Sequence, residues 1–448
     1  MDIDPKWLSR MNRAVPCYTS YPTALQFQAV DESLYKTHLA QLGKLPISLY
    51  IHLPFCRTMC LFCGCSTVLN RRPERQTLYL DWLLHEIALV SEIVQAPISQ
   101  LHLGGGTPTS LTIPEFDLLL SSLHRSFSFE PNAELSIEID PRTVYSDEGE
   151  KLKALKRLGF NRVSFGVQDL DPKVQEAVKR RQSEEMSRKT FEMARALAFD
   201  GINIDLIYGL PFQTLCTFTR TVDVISTWQP DRIALFSYAK VPWLKKHQNA
   251  IPEEALPSTE EKFAIYTKAR QLFMERGYTA IGMDHFALDS DSLSLGYRSG
   301  KLYRNFQGYS LNLAENMIGL GMSSIGFVEH AYFQNHRELE AYGASLEARR
   351  LPIARGLVLT PEDRLRRWVI QELMCRFQVD KRQCEALFSI HFDTHFQNSP
   401  LAPLKADGLL EETHDKLIPT PLGRLLIRLV AAAFDAYLTQ ASAHSKLV

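Results

Sequence analysis

From about residue 48 to 238 the chain alternates short apolar runs with longer amphipathic stretches. The runs are Ser48 to Leu53, Gln100 to Leu103, Glu134 to Ile139, Arg162 to Val167, Ile202 to Ile207 and Arg232 to Phe236. Between them apolar residues recur at helical spacing, as in Leu78-Leu80-Trp82-Leu83-Ile87 and Leu152-Leu155-Leu158. Strands separated by single helices predict βαβ units, an α/β fold and a parallel sheet. Six units are fewer than a closed eight-stranded barrel needs, so the pattern predicts an open, partial (β/α)6 barrel. Polar and Gly-rich segments follow the runs: Gly104-Gly105-Gly106-Thr107-Pro108, Asp140-Pro141-Arg142, Gln168-Asp169 and Tyr208-Gly209-Leu210-Pro211. They fall at the carboxyl ends of the strands, where α/β folds bind ligands.

The texture changes after about residue 350. Thr360-Pro361-Glu362-Asp363 reads as an N-cap, a Pro at the first helical position and acids in the first turn. Helical patterns follow, then two short strands between Gly408 and Thr420 around a His414-Asp415 turn, then a helix from Pro421. This predicts a small, mostly helical, winged-helix-like unit. The expected division is an extended arm over 1–45, a barrel over 46–350 and a cover over 351–448.

Charge narrows the function. The 448 residues carry 50 Lys plus Arg against 51 Asp plus Glu, net −1, without the basic excess that nucleic-acid or anionic-membrane binding requires. Residues 359–448 balance too, at 11 basic and 11 acidic, so the winged-helix-like unit is expected to cover the barrel mouth rather than bind DNA. No apolar run approaches the ~18 residues that span a bilayer. Met1-Asp2-Ile3-Asp4-Pro5-Lys6 lacks the basic-then-apolar pattern of a signal peptide. A reducing cytoplasm is expected.

Cysteine placement then points to chemistry. Of eight cysteines, Cys56, Cys60, Cys63 and Cys65 lie in one ten-residue window, while Cys17, Cys216, Cys375 and Cys384 are scattered. Clustered thiols in a cytosolic chain suggest a metal or catalytic site. The spacing is C-x3-C-x2-C with one further cysteine two residues on, in the loop after the first strand. Structural zinc usually takes two C-x2-C units, or one with two His, and here there is no second pair. A three-thiolate loop suits an iron–sulfur cube with one iron open to an external ligand. Reduced thiols in an ordinary loop are the plain alternative.

C-x3-C-x2-C after a first strand, an aromatic (Phe62) before the third cysteine, and Gly104-Gly105-Gly106-Thr107-Pro108 together resemble the radical S-adenosylmethionine (SAM) enzymes. Over its whole length the chain is similar to one family among them, the oxygen-independent coproporphyrinogen III oxidases. The matching segments are Tyr18-Thr19-Ser20-Tyr21-Pro22-Thr23-Ala24, Cys63-Gly64-Cys65, Ser164 to Asp169, Asn203 to Pro211, Gly282 to Ala287 and Arg304 to Tyr309. The resemblance implies an oxidoreductase with a [4Fe-4S] cluster on Cys56, Cys60 and Cys63, and S-adenosylmethionine on the open iron. A 5′-deoxyadenosyl radical would take hydrogen from two propionates of coproporphyrinogen III in turn. Loss of carbon dioxide then leaves vinyls, giving protoporphyrinogen IX in porphyrin and haem biosynthesis.

The resemblance assigns cofactor binding to Tyr50, Phe62, Gly105, Gly106, Thr107, Glu138, Gln168, Arg180, Asp205, Ala239 and Ile325, some holding a second S-adenosylmethionine beside the first. It places Cys65 near the cluster rather than on it, as a candidate accessory group. Further expectations from it are a reduced flavodoxin- or ferredoxin-like electron donor, a monomer, and an arm (Cys17 to Pro22) and tail (Ser445 to Val448) folded against the active site. On residue type alone, Gly104 to Gly106 suit close approach by the cofactor. Arg57, Arg71, Arg72, Arg75, Lys179 and Arg181 could clamp propionates, but as charge runs they read more simply as solvated faces. His102 reads as structural, and His285 as either a buried, hydrogen-bonded His or a substrate contact. Two departures stand out: the family usually has Arg at Cys17 and His at Lys240. A haem chaperone on the same scaffold is the nearest rival, but such relatives usually carry Phe at Cys65 and lack the Tyr-Thr-Ser-Tyr-Pro arm.

Overall fold

The computed structural model describes residues 4–311, 314–438 and 444–447. All six predicted strands form, each a residue or more longer than its apolar run: β1 Ile47–Leu53, β2 Ile98–Gly105, β3 Phe129–Ile139, β4 Arg162–Gln168, β5 Gly201–Tyr208 and β6 Arg232–Ser237. Successive members pair in parallel. Antiparallel β7 Tyr278–Ile281 and β8 His285–Leu288 extend the β6 edge.

The other edge differs from the prediction. β9 Met317–Leu320 returns across the molecule to pair in parallel with β1, adding a seventh parallel strand that a four-residue apolar run does not advertise. Antiparallel β10 Ile325–Val328, β11 Ala331–Asn335 and β12 Ile353–Val358 follow, and then Gln28–Ala29. The thirteen-stranded sheet never closes, so the barrel is partial, as predicted.

Helices cover the outer face: α1 Pro73–Ser91, α2 Ile113–Ser126, α3 Glu150–Arg157, α4 Glu184–Ala196, α5 Leu215–Trp228 and α6 Thr259–Glu275. The buried stripe of α1 is Tyr79, Leu80, Leu83, Glu86, Ile87 and Val90. Leu78, which the apolar pattern places on that stripe, faces solvent.

Two large cores result. One lies between sheet and helices. The other joins arm residues Leu8, Met11, Val15, Tyr18 and Tyr21 to helix α7 Pro361–Arg376 and to Ile427–Phe434. The arm therefore belongs to the core of the carboxyl-terminal unit as much as to the barrel. Helix α7 begins with the predicted cap: Thr360 Oγ1 accepts from Asp363 N–H at 3.1 Å, and Asp363 Oδ2 accepts from Thr360 N–H at 3.0 Å. The hairpin Leu410–Glu412/Lys416–Pro419 also forms, with Val379–Asp380 as a third strand. The tail pairs with the arm: Leu447 N–H donates to Arg13 O and Val15 N–H to Ser445 O. Val448 lies outside the described residues, as do Met1 to Ile3. No described helix is long and apolar enough to cross a membrane.

A buried acid locks the β1–β9 seam behind the site. Glu86 accepts from Gly321 N–H (2.7 Å), Tyr342 Oη (2.6 Å) and Asn335 Nδ2 (2.6 Å). Tyr79 Oη donates to His52 O at 2.6 Å and accepts from Met322 N–H at 3.0 Å. Burial outweighs these bonds and lifts Glu86 to about 7. A carboxyl raised on folding stabilises at low pH, and that contribution is lost as pH rises from the ordinary value of 4.5 to the folded value of about 7. At about 1.4 kcal/mol per pKa unit, roughly 3 kcal/mol is lost across that interval. Thermal unfolding should therefore show a midpoint that this group lowers from about pH 5 to pH 7, and Glu86→Gln should flatten that slope whatever its absolute stability.

Candidate active site

At the carboxyl end of the strands a cavity of about 580 Å³ opens, lined by Cys56, Cys60, Cys63 and Cys65. Pro54 ends β1, and the cysteine loop leaves from there. The loop is fastened at its base by Val68 N–H to Pro54 O (2.8 Å) and Asn70 N–H to Cys56 O (3.0 Å). A second segment grips it from across the mouth: Gln248 Nε2 donates to Phe62 O (3.0 Å), His247 Nε2 to Cys63 O (2.8 Å) and Lys245 Nζ to Cys65 O (2.6 Å). Three donors within four residues, at the start of the short 3-10 segment Lys246–Ala250, thus fix three loop carbonyls. Nothing in the sequence pattern marked this clasp.

The thiols sit in different fields. Cys56 Sγ and Thr107 Oγ1 are hydrogen-bond partners at 3.2 Å, and burial holds the Cys56 thiol up at about 11. Arg180 Nη1 donates to Cys60 Sγ at 3.5 Å. A hydrogen bond from Cys65, with the charges of Lys245 and Arg180, pulls the Cys63 thiol down, and Cys65 rises in return. Behind Cys60, Asp140 pairs with Arg180 (3.3 Å) and Arg142 (2.6 Å). Those cations outweigh burial and hold its carboxyl at about 2.

The floor is a rank of polar side chains on alternate strand positions, which share one face. Glu138 on β3, Ser164 on β4 and Asn203 on β5 stand on one rung of the sheet. Asn203 Nδ2 donates to Ser164 Oγ (2.8 Å) and Asp205 Oδ1 (2.7 Å). Burial and the charge of Glu138 raise the Asp205 carboxyl to about 6. Register slips between Gly166 and Gln168, and Gln168 takes φ +72°, left-handed for a non-glycine residue. Such local strain clusters at ligand sites. Gln168 Oε1, Arg180 Nε and Asn203 Oδ1 are buried without partners, and buried polar atoms are rarely left so.

Of the residues assigned from resemblance, Phe62, Gly105, Gly106, Thr107, Glu138, Gln168, Arg180, Asp205 and Ala239 line this cavity with the four cysteines. Tyr50 stands one layer back. Its hydroxyl partners His52 Nδ1 at 3.0 Å, and its ring stacks on His102. His52 Nε2 donates to Ser66 O (2.8 Å), so the Tyr50 hydroxyl is the donor to Nδ1. Ile325 is not brought to the lining: it packs with Phe27, Phe327 and Tyr332. His102 lines the cavity, bonded to Ser136 and Glu138. His285 is buried on Asp284 at 2.6 Å and also reaches the lining. Lys179 and Arg181 are exposed, as solvated charge should be. Lys240 pairs with Glu253.

The glycines answer to the protein itself. A Cβ on Gly104 would meet Glu138 Oε1 at 2.8 Å, on Gly105 the His52 ring at 2.7 Å, and on Gly106 the Pro54 carbonyl at 2.3 Å. Packing of strand against loop and neighbouring side chains is by itself enough to exclude side chains here.

The donors present suit an iron–sulfur cluster. Three thiols line one wall, with cations behind them to offset thiolate charge. Among the described residues no three His, Cys, Asp or Glu groups close around a single ion, a closure that a cluster with one ligand per iron does not require. The partnerless floor atoms suit a polar cofactor.

Residues 50–225 match the Radical SAM superfamily and residues 359–426 the HemN C-terminal domain. Fold and site thus define a radical SAM protein. The chain is 42% identical over 453 residues to the oxygen-independent coproporphyrinogen III oxidase of Synechocystis sp., covering 99% of this chain and 97% of that one. It is 39% identical to the protein of that name from Escherichia coli, covering 98% and 96%. The solved structure described as "Coproporphyrinogen III oxidase (HemN) from Escherichia coli is a Radical SAM enzyme" superposes with TM-score 0.91 at 38% identity, over 98% of this chain and 100% of that one. The chain belongs to the oxygen-independent coproporphyrinogen III oxidase family.

Because the Pro54 carbonyl is backbone and cannot turn aside, Gly106→Ala should lower stability by about 1–3 kcal/mol in urea titration. Gly64→Ala, whose Cβ meets nothing within 4 Å, should stay within about 0.5 kcal/mol.

Proposed function

We propose that this chain catalyses the oxygen-independent oxidative decarboxylation of two propionates of coproporphyrinogen III to vinyls, giving protoporphyrinogen IX. The observation that carries the reading is the cysteine loop. Cys56, Cys60 and Cys63 face a cavity whose floor keeps three partnerless polar atoms, in a chain 42% identical to an oxidase of that name along nearly its whole length. A [4Fe-4S] cluster and S-adenosylmethionine, when bound, supply the radical that removes hydrogen from each propionate; carbon dioxide and one electron then leave, and a vinyl remains.

The chain's own residues do the rest. Cys56, Cys60 and Cys63 hold the cluster. Arg180 and Arg142 compensate their charge, and the 245–248 segment keeps the loop in place. Glu138, Gln168 and Asp205 offer acceptors to the amino and ribose hydroxyl groups of the cofactor, and Gly105, Gly106, Thr107, Phe62 and Ala239 form its walls. Tyr50 acts through His52 and His102, and Ile325 through the packing of β10. Breadth of the cavity supports a second S-adenosylmethionine. Cys65 serves beside the cluster. The arm and the carboxyl-terminal unit close the site, and a small reduced flavodoxin or ferredoxin supplies electrons to a monomer in the cytoplasm.

After anaerobic reconstitution, Cys63→Ala should lose most of its iron, while Cys65→Ser should match the wild type by colorimetric iron assay; iron loss in the serine variant would overturn the role given to Cys65. With reductant, S-adenosylmethionine and coproporphyrinogen III, the wild type should release carbon dioxide and form vinyl products. Cofactor cleavage without decarboxylation would refute the oxidase reading, and haem binding without turnover would favour a chaperone.

A further inference from the structure

Beside the cysteine-lined cavity lies a second one of about 240 Å³, between the end of β6, the arm and the carboxyl-terminal unit. The two share lining residues, Arg304 and Phe236 among them. The walls of the side cavity are mainly apolar, with Leu235, Phe263 and Ile427, but two buried guanidinium groups break them: Arg304 and Arg428.

Arg304 is only half satisfied. It reaches Asp284 through two long contacts of 3.4 Å, Asp284 also accepts from His285, and its Nε has no partner. Arg428 is more unusual. It donates to the carbonyls of Pro16 (2.9 Å), Val15 and Ser445 (3.3 Å), and more distantly to those of Lys446 and Leu447. Among the described residues no carboxylate comes within ion-pair distance of it. Asp435, the acid facing the same arm, is bonded to Tyr18 Oη at 3.0 Å. The single lining carboxylate, Asp284, is shared by Arg304 and His285. Burial and the field of Arg428 pull the nearby Lys262 ammonium down to about 7. A buried cation without a counter-charge is costly unless an anion arrives to meet it.

We propose that this side cavity receives one carboxylate arm of the substrate, a propionate other than the one reacting, with its methylenes against the apolar walls and its carboxylate between Arg304 and Arg428. The inference rests on the tetrapyrrole reading above. Arg304 and Arg428 are then positioning residues: holding one corner of the macrocycle presents another to the cluster end of the main cavity, and distinguishes a carboxylate-bearing substrate from a neutral one. Arg304, whose Nε has no partner, supplies the charge-assisted bond, which contributes more than a neutral one and is directional; Arg428, whose nitrogens donate to arm and tail carbonyls, adds the attraction of its charge.

Coproporphyrin III, the stable coloured oxidised form of the substrate, tests this by titration against its tetramethyl ester in the same mild detergent. The reconstituted wild type should bind the acid at least about 10-fold more tightly than the ester. Arg428→Gln should reduce that ratio about 10-fold, a selective loss of acid over ester that a loosened arm or a misfolded protein, weakening both ligands alike, would not give. Cys17→Asp, an exposed position on the cavity wall, should reduce the ratio without disturbing the Arg428 bonds, and Cys17→Arg should raise it. In turnover the Arg428 and Cys17→Asp variants should raise KM more than they lower kcat. Equal ratios in all four proteins overturn the proposal. Failure of the tetrapyrrole reading shows separately, as absence of vinyl product from the wild type.

Discussion

One close contact orders the active end of the molecule: the backbone of β2 against the backbone that launches the cysteine loop. Gly106 N–H donates to Leu53 O at 2.8 Å, and a Cβ at Gly106 would lie 2.3 Å from the Pro54 carbonyl. The same Pro54 carbonyl accepts from Val68 N–H, where the loop returns. Departure and return of the loop are therefore referenced to one carbonyl, and the directions of Cys56, Cys60 and Cys63 follow from it. A flexible side chain in that place could yield; a carbonyl flanked by a proline ring cannot. Thr107, next along, then meets Cys56.

The barrel was readable because its strands are apolar runs long enough to stand out, and because cysteine spacing is sparse in alternatives. β9 was not readable. Four residues of Met317-Ile318-Gly319-Leu320 carry no period, and their parallel partner lies more than 260 residues earlier. Ser164 and Asn203 could have been found, since polar residues recur at alternate positions in β3, β4 and β5 where both faces should otherwise be apolar. The 245–248 clasp had no such signal: Lys245, His247 and Gln248 read as an ordinary polar loop, and their role exists only in three-dimensional proximity to Phe62, Cys63 and Cys65. Likewise the glycine run was legible as a site, but its reason was not, because the groups that exclude its side chains, Glu138, His52 and Pro54, lie elsewhere in the chain.

The cavity has two electrical ends. At the cluster end, Arg142 and Arg180 face thiols and one carboxylate whose proton they hold off. At the amino ends of the strands, Arg162 and Arg232 share Asp291, with Glu134 added at 2.7 Å from Arg162. That second set is balanced and seals the barrel floor. Among the described residues this nearly neutral chain therefore pairs its buried charges at the cluster end and at depth, and leaves Arg428 on the side wall without a carboxylate at ion-pair distance.

Arg428 has a topological consequence. Its guanidinium ties the arm at Val15 and Pro16 to the tail at Ser445. The arm partners lie more than 410 residues before it in the chain and Ser445 lies 17 after it. One side chain thus gathers both ends of the described chain at a single point on the wall of the side cavity, and whatever charge enters that cavity is felt by both at once.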